Sequence, residues 1–549
     1  MLMTISLASA NTNINECGTL SIANEVYDLT QDVQSNRTCF TITANGIVLD
    51  GHGYEINWSA NATSTVAIFG ILNRGHNNTI IKNIKIKTGK ALGTGKYDIL
   101  YSKTINSTFD NISFMTTGEL GIRSLVISDK AENISIKNCL FNNSIAATTA
   151  IITNGTSRNI TIFNNTFYNN LANGAGISLG AGDNLSLVTN NRFQWLVSSK
   201  NSIALAGDSS TVTGNIINCT GQGISAGGIR ANVTNNNVVS GSYGVAVGGS
   251  YNNIFNNNFS GGFVSASGGG SITGNYNKVY QNNFTGYSNT AGLREGGNYN
   301  QVYNNTIYGG ALGIATNQPN HGVYSNNTIF GTQNGFNMGN TQNNNDTATG
   351  NIIYSGSGYC FKSLSHSQNW TLIDNLCMNA TNPTIYFASS GTSKRNFTAI
   401  NTTVNGNPLT YKYADTQGIN TMSVFYYGTF KTQNDTTPLI LSNVTGFYNT
   451  GGYVFENATT NIDGLTVRQL LKAYIVNNTA GNNLTLSRYN FTAQNLGSIK
   501  TNDNYNPTEN FLLTFDWYIS PNCWTQTGNV LFIPKGCLYL NLAGVASKI

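Results

Sequence analysis

Charge is scarce in this chain. Of 549 residues only 9 % are Asp, Glu, Lys or Arg, and the formal net charge is +5. Ordinary globular domains carry about 25 % charged residues, so this is not the composition of a standard cytosolic enzyme. No dense Lys/Arg tract crosses the chain, which argues against nucleic acid as a partner. Histidine stops at four residues (His52, His76, His321 and His366) and methionine at six. Neither supplies metal-ligand spacing, so no metal centre or cofactor is expected. Proline numbers seven, and none precedes Pro319, as befits backbone whose N–H groups nearly all enter a ladder. No run approaches the roughly 18–20 apolar residues of a membrane helix, so no transmembrane segment is expected. Disorder is excluded too, because 40 % hydrophobic and 11 % aromatic residues suffice to bury a large core.

Asparagine is the residue in excess, at 87, and it comes in a repeat. ISIKNCLF, ITIFNNTF, LSLVTNNRF, NVTNNNVV, NNIFNNNF, NKVYQNNF and NQVYNNTI share one pattern: an aliphatic, a variable residue, Asn-like residues, then an apolar residue. Aligning on the aliphatic gives Ile81, Phe109, Ile136, Ile162, Leu187, Val212, Val233, Ile254, Val279, Val302, Val323, Ala348, Leu372 and Ala399. The steps, roughly 21–28 residues, form a solenoid period, too short for helical repeats. Short β-branched strands with Asn/Gly turns between them predict an all-β fold: a parallel β-helix of about fourteen coils stacked about 4.8 Å apart. Two positions after the aliphatic stand Asn83, Asn111, Asn138, Asn164, Asn235, Asn256, Asn304 and Asn401, with Gln281 and Asp374 as variants. Such stacked amides are expected to bond from coil to coil.

The opening CGTLSIANEVYDLTQDV…TCFTITANGIVLDGHGYEI, followed by these repeats, resembles the right-handed parallel β-helix superfamily of pectate-lyase-like solenoids. Within it the chain is similar to Asn-rich secreted repeat proteins of prokaryotic envelopes. The resemblance implies the fold over roughly residues 15–405 but no single activity, since that solenoid carries lyases, hydrolases, epimerases, tail spikes and adhesins. Residues 1–10 read as the end of a signal peptide closing on Ala8-Ser9-Ala10. Residues 11–75 read as an N-terminal cap and opening coil, and 76–405 as the solenoid. Past 405 the Asn pattern fades, five prolines appear and aromatic alternation thickens. Residues 406–549 are expected to form a mostly-β module, sandwich-like or capping, with a short helix over 464–475.

Candidate site residues follow from this frame. Asp183 and Asp208 both stand four positions before an aligned aliphatic, so they should stack about 4.8 Å apart. That separation suits a glycosidase carboxylate pair or a Ca²⁺ site, although Arg158 in the same column would neutralise one partner and a surface turn ladder explains all of it. Lys82, Lys85, Lys87 and Lys90 form the one basic concentration, suited to an acidic polysaccharide or to plain solvation. Gly51-His52-Gly53 reads as a tight turn. Cys17/Cys39, Cys360/Cys377 and Cys523/Cys537 are spaced as local disulfides of an exported protein. Cys139 and Cys219 lie three coils apart, about 14 Å, beyond disulfide reach. Asn164, Asn304 and Asn326 head N-glycosylation triplets. The position after the aliphatic must face outward, and there Phe255, Tyr280, Tyr303 and Tyr324 line up as a ligand-binding aromatic strip.

The expected function is that of an extracellular or cell-surface β-helix, structural and adhesive, with glycans or other envelope proteins as partners. The alternatives are a polysaccharide lyase or glycoside hydrolase and a tail-spike-like receptor-binding protein.

Overall fold

The computed structural model describes residues 11–519 except 61–66, 90–95, 117–121, 144–148, 170–174, 196–200, 263–266, 288, 318, 340–342, 365–366, 389–393, 415–418, 479–482 and 497; beyond 519 it describes 525–527, 530–532, 538–542 and 545–548. Residues 1–10, Lys90, Cys523 and Cys537 therefore lie outside the described residues. Strands and turns make up what is described, with no helix among them. Parallel coils, about fourteen of them, form a β-solenoid, and a small antiparallel sheet lies near the C-terminus. Two compact units divide the chain: 1–338 with 354–358, and 339–353 with 359–549.

In the first unit most coils lay down three short strands, while in Ile80–Thr88 and Ile105–Thr116 the second and third run together. Asn201–Leu205, Thr211–Thr213 and Ile216–Cys219 make one coil; Gln222–Ala226, Asn232–Thr234 and Asn237–Ser240 make the next. All three pairings are parallel, with Ile203 beside Ile224, Val212 beside Val233 and Ile217 beside Val238. Those six residues are buried. Alternation along each strand sends every second side chain inward, so each interior position becomes an axial column. Phe114, Phe141, Phe167 and Phe193 form one such column, with centroids 4.6, 4.8 and 4.5 Å apart. The corner after the first strand brings backbone against backbone: a Cβ on Gly249 would stand 1.8 Å from the Gly228 carbonyl oxygen, so only glycine fits.

The corner between the second and third strands explains the asparagines. One residue there takes positive φ: Asn164 53°, Asn235 54°, Asn256 55°, Gln281 55°, Asn304 53° and Asn326 53°. Asn tolerates this left-handed conformation better than other residues with a Cβ. The next residue, again Asn, turns inward. Asn236 Nδ2 donates to Val212 O at 3.0 Å and to Asn257 Oδ1 at 3.0 Å, and Asn236 N donates to the same oxygen at 2.9 Å. This buried ladder runs through Asn165, Asn191, Asn215, Asn236, Asn257, Asn282, Asn305 and Asn327. The continuous ladder is thus one position later than the sequence reading put it. Some turn amides do bond to neighbours, Asn111 to Asn83 at 2.9 Å and Asn164 to Asn138 at 2.8 Å, but these stay on the surface.

The Asn corner, not the aliphatic, sets the register, and two aligned positions move. Ile162 pairs with Val188, not Leu187, and Val302 with Tyr324, not Val323. In each case the inward residue stands three before the buried Asn, as everywhere else in the column. Tyr324 is therefore fully buried. Its hydroxyl donates at 2.6 Å to Glu295, a buried carboxylate that also accepts from Asn300 Nδ2 at 2.6 Å and Gly297 N at 3.0 Å. Burial pushes the Glu295 carboxyl up to about 7 against those three donors.

In the second unit Asn351 donates to Asn375 at 2.9 Å in the same ladder geometry. Ile419–Asn434 pairs parallel with Lys394–Ile400 and Phe511–Ile519, and antiparallel with Gln469–Asn477. The helix expected over 464–475 is instead a turn leading into this last strand, in which Leu471, Ala473 and Val476 are buried. Its partner strand offers backbone pairing along the whole length, which outweighs local helix propensity. The antiparallel sheet comprises Asn443–Tyr448, Tyr453–Thr459, Tyr489–Asn495 and Ser498–Tyr505. Val444, Tyr489 and Phe491 from it share one buried cluster with Phe430, Leu471, Phe515 and Trp517.

Two outcomes follow. Asn257→Ala leaves several buried partners orphaned and should destabilise by about 3 kcal/mol or more, at roughly 1–3 kcal/mol per orphaned group. Asn256→Gly, at the exposed turn beside it, should stay within about 0.5 kcal/mol; denaturant melts of both variants compare them. Glu295 has a folded pKa of about 7 against an ordinary 4.5. Its contribution to stability is therefore full below about pH 4.5 and is lost as pH rises through about 7. Glu295→Gln should gain stability relative to the parent between pH 5 and pH 8, read as thermal midpoints; parallel pH curves would contradict the assignment.

Candidate ligand-binding face

Outward positions stack as regularly as inward ones, so the solvent-facing side chains also form axial columns. After the inward aliphatic come Phe255, Tyr280 and Tyr303, half-buried, with centroids 5.0 and 5.0 Å apart and planes within 5°. Ser325 occupies the fourth place, because Tyr324 has gone inside. The strip thus has three rings rather than four. Val188, taken as outward, is buried, and Thr189 holds its place.

Two further ladders were not foreseen. Tyr308, Phe330 and Tyr354 stack at 4.5 and 4.6 Å on the next strand column. Tyr251, Tyr276, Tyr299 and His321 stack at 5.0, 4.9 and 4.8 Å at the corner three residues before the inward aliphatic. These four are the more informative, since each has left-handed φ, 61°, 57°, 57° and 60°. The earliest coils fill the same corner with Asn106, Asn133 and Asn159, whose amides bond from coil to coil at 2.9 and 2.6 Å, and the coils between with Leu185, Ser209 and Arg230. A bulky ring there is a conformational outlier. It gives up the amide bonds, and it gains no core burial, Tyr251 being 53 % and Tyr299 43 % exposed. The signal in the sequence was the recurring SYNN, NYNK, NYNQ and NHGV, read for its asparagines alone.

The other candidates fall out differently. Asp183 faces Gly207 rather than Asp208, while Asp208 N bonds to Asn184 at 2.9 Å. The expected stacked pair does not exist, since it depended on Leu187 being the inward residue. Asp183 is buried, with Thr153 Oγ1 and Gly180 N donating to it, and burial raises its pKa. Asp208 accepts from Ile229 N at 2.9 Å on the surface turn.

Lys82 pairs with Asp50 at 2.9 Å and Lys87 approaches Glu55 at 3.9 Å, leaving Lys85 as the exposed cation of that strand. Asp28, Asp50 and His52, which sequence reasoning left apart, hold ligand atoms within 4.8 Å of one another. Their oxygens are already engaged: Lys82 and Asn83 bond Asp50, while His52 and Asn11 bond Asp28 at 2.9 and 2.5 Å. A cation would have to displace them. His52 also lines a surface pocket with Lys85 and Ser113.

Cys17–Cys39 and Cys360–Cys377 are bonded, and Cys139 and Cys219 are free and buried, their thiols pushed by burial to about 12 and about 11. Asn164, Asn304 and Asn326 are all exposed turn residues, so each triplet presents its first amide outward.

No curated protein sequence matches the chain. Among solved structures it is similar to the tailspike protein of E. coli bacteriophage HK620 in complex with a pentasaccharide: 13 % identity, 87 % of each chain covered, TM-score 0.37. It is also similar to PfbA, a surface adhesin of Streptococcus pneumoniae, at 13 % identity with 91 % of each chain covered and TM-score 0.29. The A-module of the mannuronan C-5 epimerase AlgE6 of Azotobacter vinelandii is 12 % identical over 67 % of this chain and 91 % of its own, with TM-score 0.28. Residues 222–376 match the family described as right handed beta helix region, and these residues lie within a β-solenoid of about fourteen parallel coils.

Proposed function

We propose that the protein acts outside the cell or on its surface as a structural and adhesive β-helix, binding glycans or neighbouring surfaces through its aromatic ladders. The observation that carries this is the corner column Tyr251–Tyr276–Tyr299–His321, where rings stand in a conformation that favours Asn and stay exposed. Left-handed strain kept for rings that stack on each other but stay out of the core supports use of their exposed faces by a partner. A tyrosine ring offers a flat apolar face with a hydroxyl at its edge, which suits sugar or protein contact. The disulfides fit an oxidising compartment. The glycosidase alternative loses its support with the Asp183–Asp208 pair.

Tyr280→Ala with Tyr303→Ala removes half-exposed rings from one ladder and should weaken glycan or cell-surface binding about tenfold or more, at roughly 1 kcal/mol per stacked ring. The thermal midpoint should stay within a few degrees. A glycan array with a parallel reducing-end release assay tests both halves of the reading. Turnover of a bound glycan would replace adhesion with catalysis, and normal binding by the double variant would remove the ladder from the contact.

A further inference from the structure

Beside the Phe255–Tyr280–Tyr303 strip runs a shallow groove lined only by Asn, Gln and Thr side chains. Its floor is the buried ladder of Asn236, Asn257 and Asn282, whose amides are engaged with backbone carbonyls and with each other. Its walls are two exposed columns. One is the turn column Asn256, Gln281 and Asn304, each directly following a ring of the strip. The other is Asn237, Asn258 and Asn283, which open the third strand of successive coils.

In the second column Asn258 Nδ2 donates to Asn237 Oδ1 at 3.1 Å, and Asn283 Nδ2 to Asn258 Oδ1 at 3.2 Å. A primary amide has two N–H donors and an oxygen with two lone pairs. Chain bonding uses one donor and one lone pair, so each coil still presents one donor and one acceptor to the groove. They repeat about every 4.8 Å along the axis. A sugar hydroxyl both donates and accepts, so it can bridge such a pair, and the adjoining ring strip offers its apolar faces to the same chain. No Lys, Arg, Asp, Glu or His lines the groove, so an acidic polymer would find no counter-charge and a basic one no anion.

Resting on the adhesive reading above, we infer that this amide groove is a binding site for an uncharged polysaccharide lying parallel to the solenoid axis. Recognition needs neither metal nor ion pairs. Asn258 and Asn283 also head Asn-Phe-Ser and Asn-Phe-Thr triplets, so the test uses the full chain made in a host that adds no N-glycan.

Affinity electrophoresis through gels containing a neutral glucan, mannan or galactan, against polygalacturonate and alginate, reads the class. The expected result is retardation by at least one neutral polymer, unchanged by chelator or added salt. Asn258→Ala with Asn283→Ala removes one wall, and Asn256→Gly with Asn304→Gly removes amides from the other while glycine keeps the left-handed turn. Each pair should weaken retention roughly fivefold or more, about 1 kcal/mol for lost hydrogen bonds. If the alanine pair fails to fold, the glycine pair decides. Retention by acidic polymers alone, abolished by salt, overturns the inference. So does neutral binding that both amide pairs leave intact while Tyr280→Ala/Tyr303→Ala abolishes it, an outcome that keeps the adhesive reading. A parent protein that binds cells but no polysaccharide in the panel also overturns the groove alone, and one that binds neither cells nor glycans overturns both.

Discussion

A parallel coil turns from one β face to the next in a single left-handed residue, and the backbone on either side of that corner loses its regular partners. In this chain one buried amide per coil restores them from Asn165 through Asn327, and again at Asn351 and Asn375. Asn257 gives its two N–H bonds to Phe255 O and Val233 O, with Asn282 Oδ1 close enough to share the donation, while its own oxygen takes the N–H of Asn236. Buried amides are stable only when nearly fully bonded, so the column tolerates few substitutes. Cys139 stands at its upstream end, where its N–H still reaches Asn165 Oδ1 at 2.9 Å. The turn residue just before the amide is fixed by φ alone. Together they give the Asn-Asn pair at 164–165, 190–191, 235–236, 256–257, 304–305 and 326–327 and hold those coils in register with their neighbours.

Register, once fixed, acts on the outside as it does on the inside. In-register parallel stacking places like residues over like, so any surface chemistry appears as an axial ladder. Lys137 over Asp110 at 3.2 Å and Arg158 over Glu132 at 2.8 Å are charge ladders of the early coils. From Tyr251 onward the column of Asp110 and Lys137 carries the rings Phe255, Tyr280 and Tyr303, and the column of Asn133 and Asn159 carries Tyr251, Tyr276 and Tyr299. A weak contact at one rung recurs on the next, and rungs held rigidly at fixed spacing act on an extended ligand as linked sites do, without a new ordering cost at each.

This regularity made the fold legible. The Asn spacing, the β-branched strands and the absent prolines predicted the parallel solenoid; of the three disulfide pairs expected from cysteine spacing, two fall within the described residues and are bonded. What misled was the choice of ruler. LSLV offers two aliphatics and GVYS offers Val323 beside Tyr324, and hydrophobicity alone picks the wrong one each time. Counting back three residues from the buried Asn picks Val188 and Tyr324. The Tyr324 hydroxyl is satisfied inside by Glu295, a pairing between residues 29 apart that no local pattern contains. The corner tyrosines escaped notice for a related reason: at φ near +57° propensity expects Asn or Gly, so a ring there shows only against the rule it breaks. The Asp28–His52 contact joins successive coils of the cap and depends on where the chain returns.

Coil length shortens between the early coils and the ringed surface. Early coils advance 27 residues from Phe109 to Ile136 and 26 from Ile136 to Ile162, whereas Val233 to Ile254 takes 21 and Val302 to Tyr324 takes 22. Three strands of 3–5 residues, as in Gln222–Ala226, Asn232–Thr234 and Asn237–Ser240, together with their corners use nearly all of a 21-residue coil. Little chain is left over to fold back across the outer columns. The steps that carry the rings, 25 residues from Ile254 to Val279, 23 from Val279 to Val302 and 22 from Val302 to Tyr324, are all shorter than the 28, 27 and 26 of the coils from Ile81 to Ile162. On an uncharged surface of rings and amides, any contact with a ligand would come from shape and hydrogen bonding rather than from fields that salt can screen.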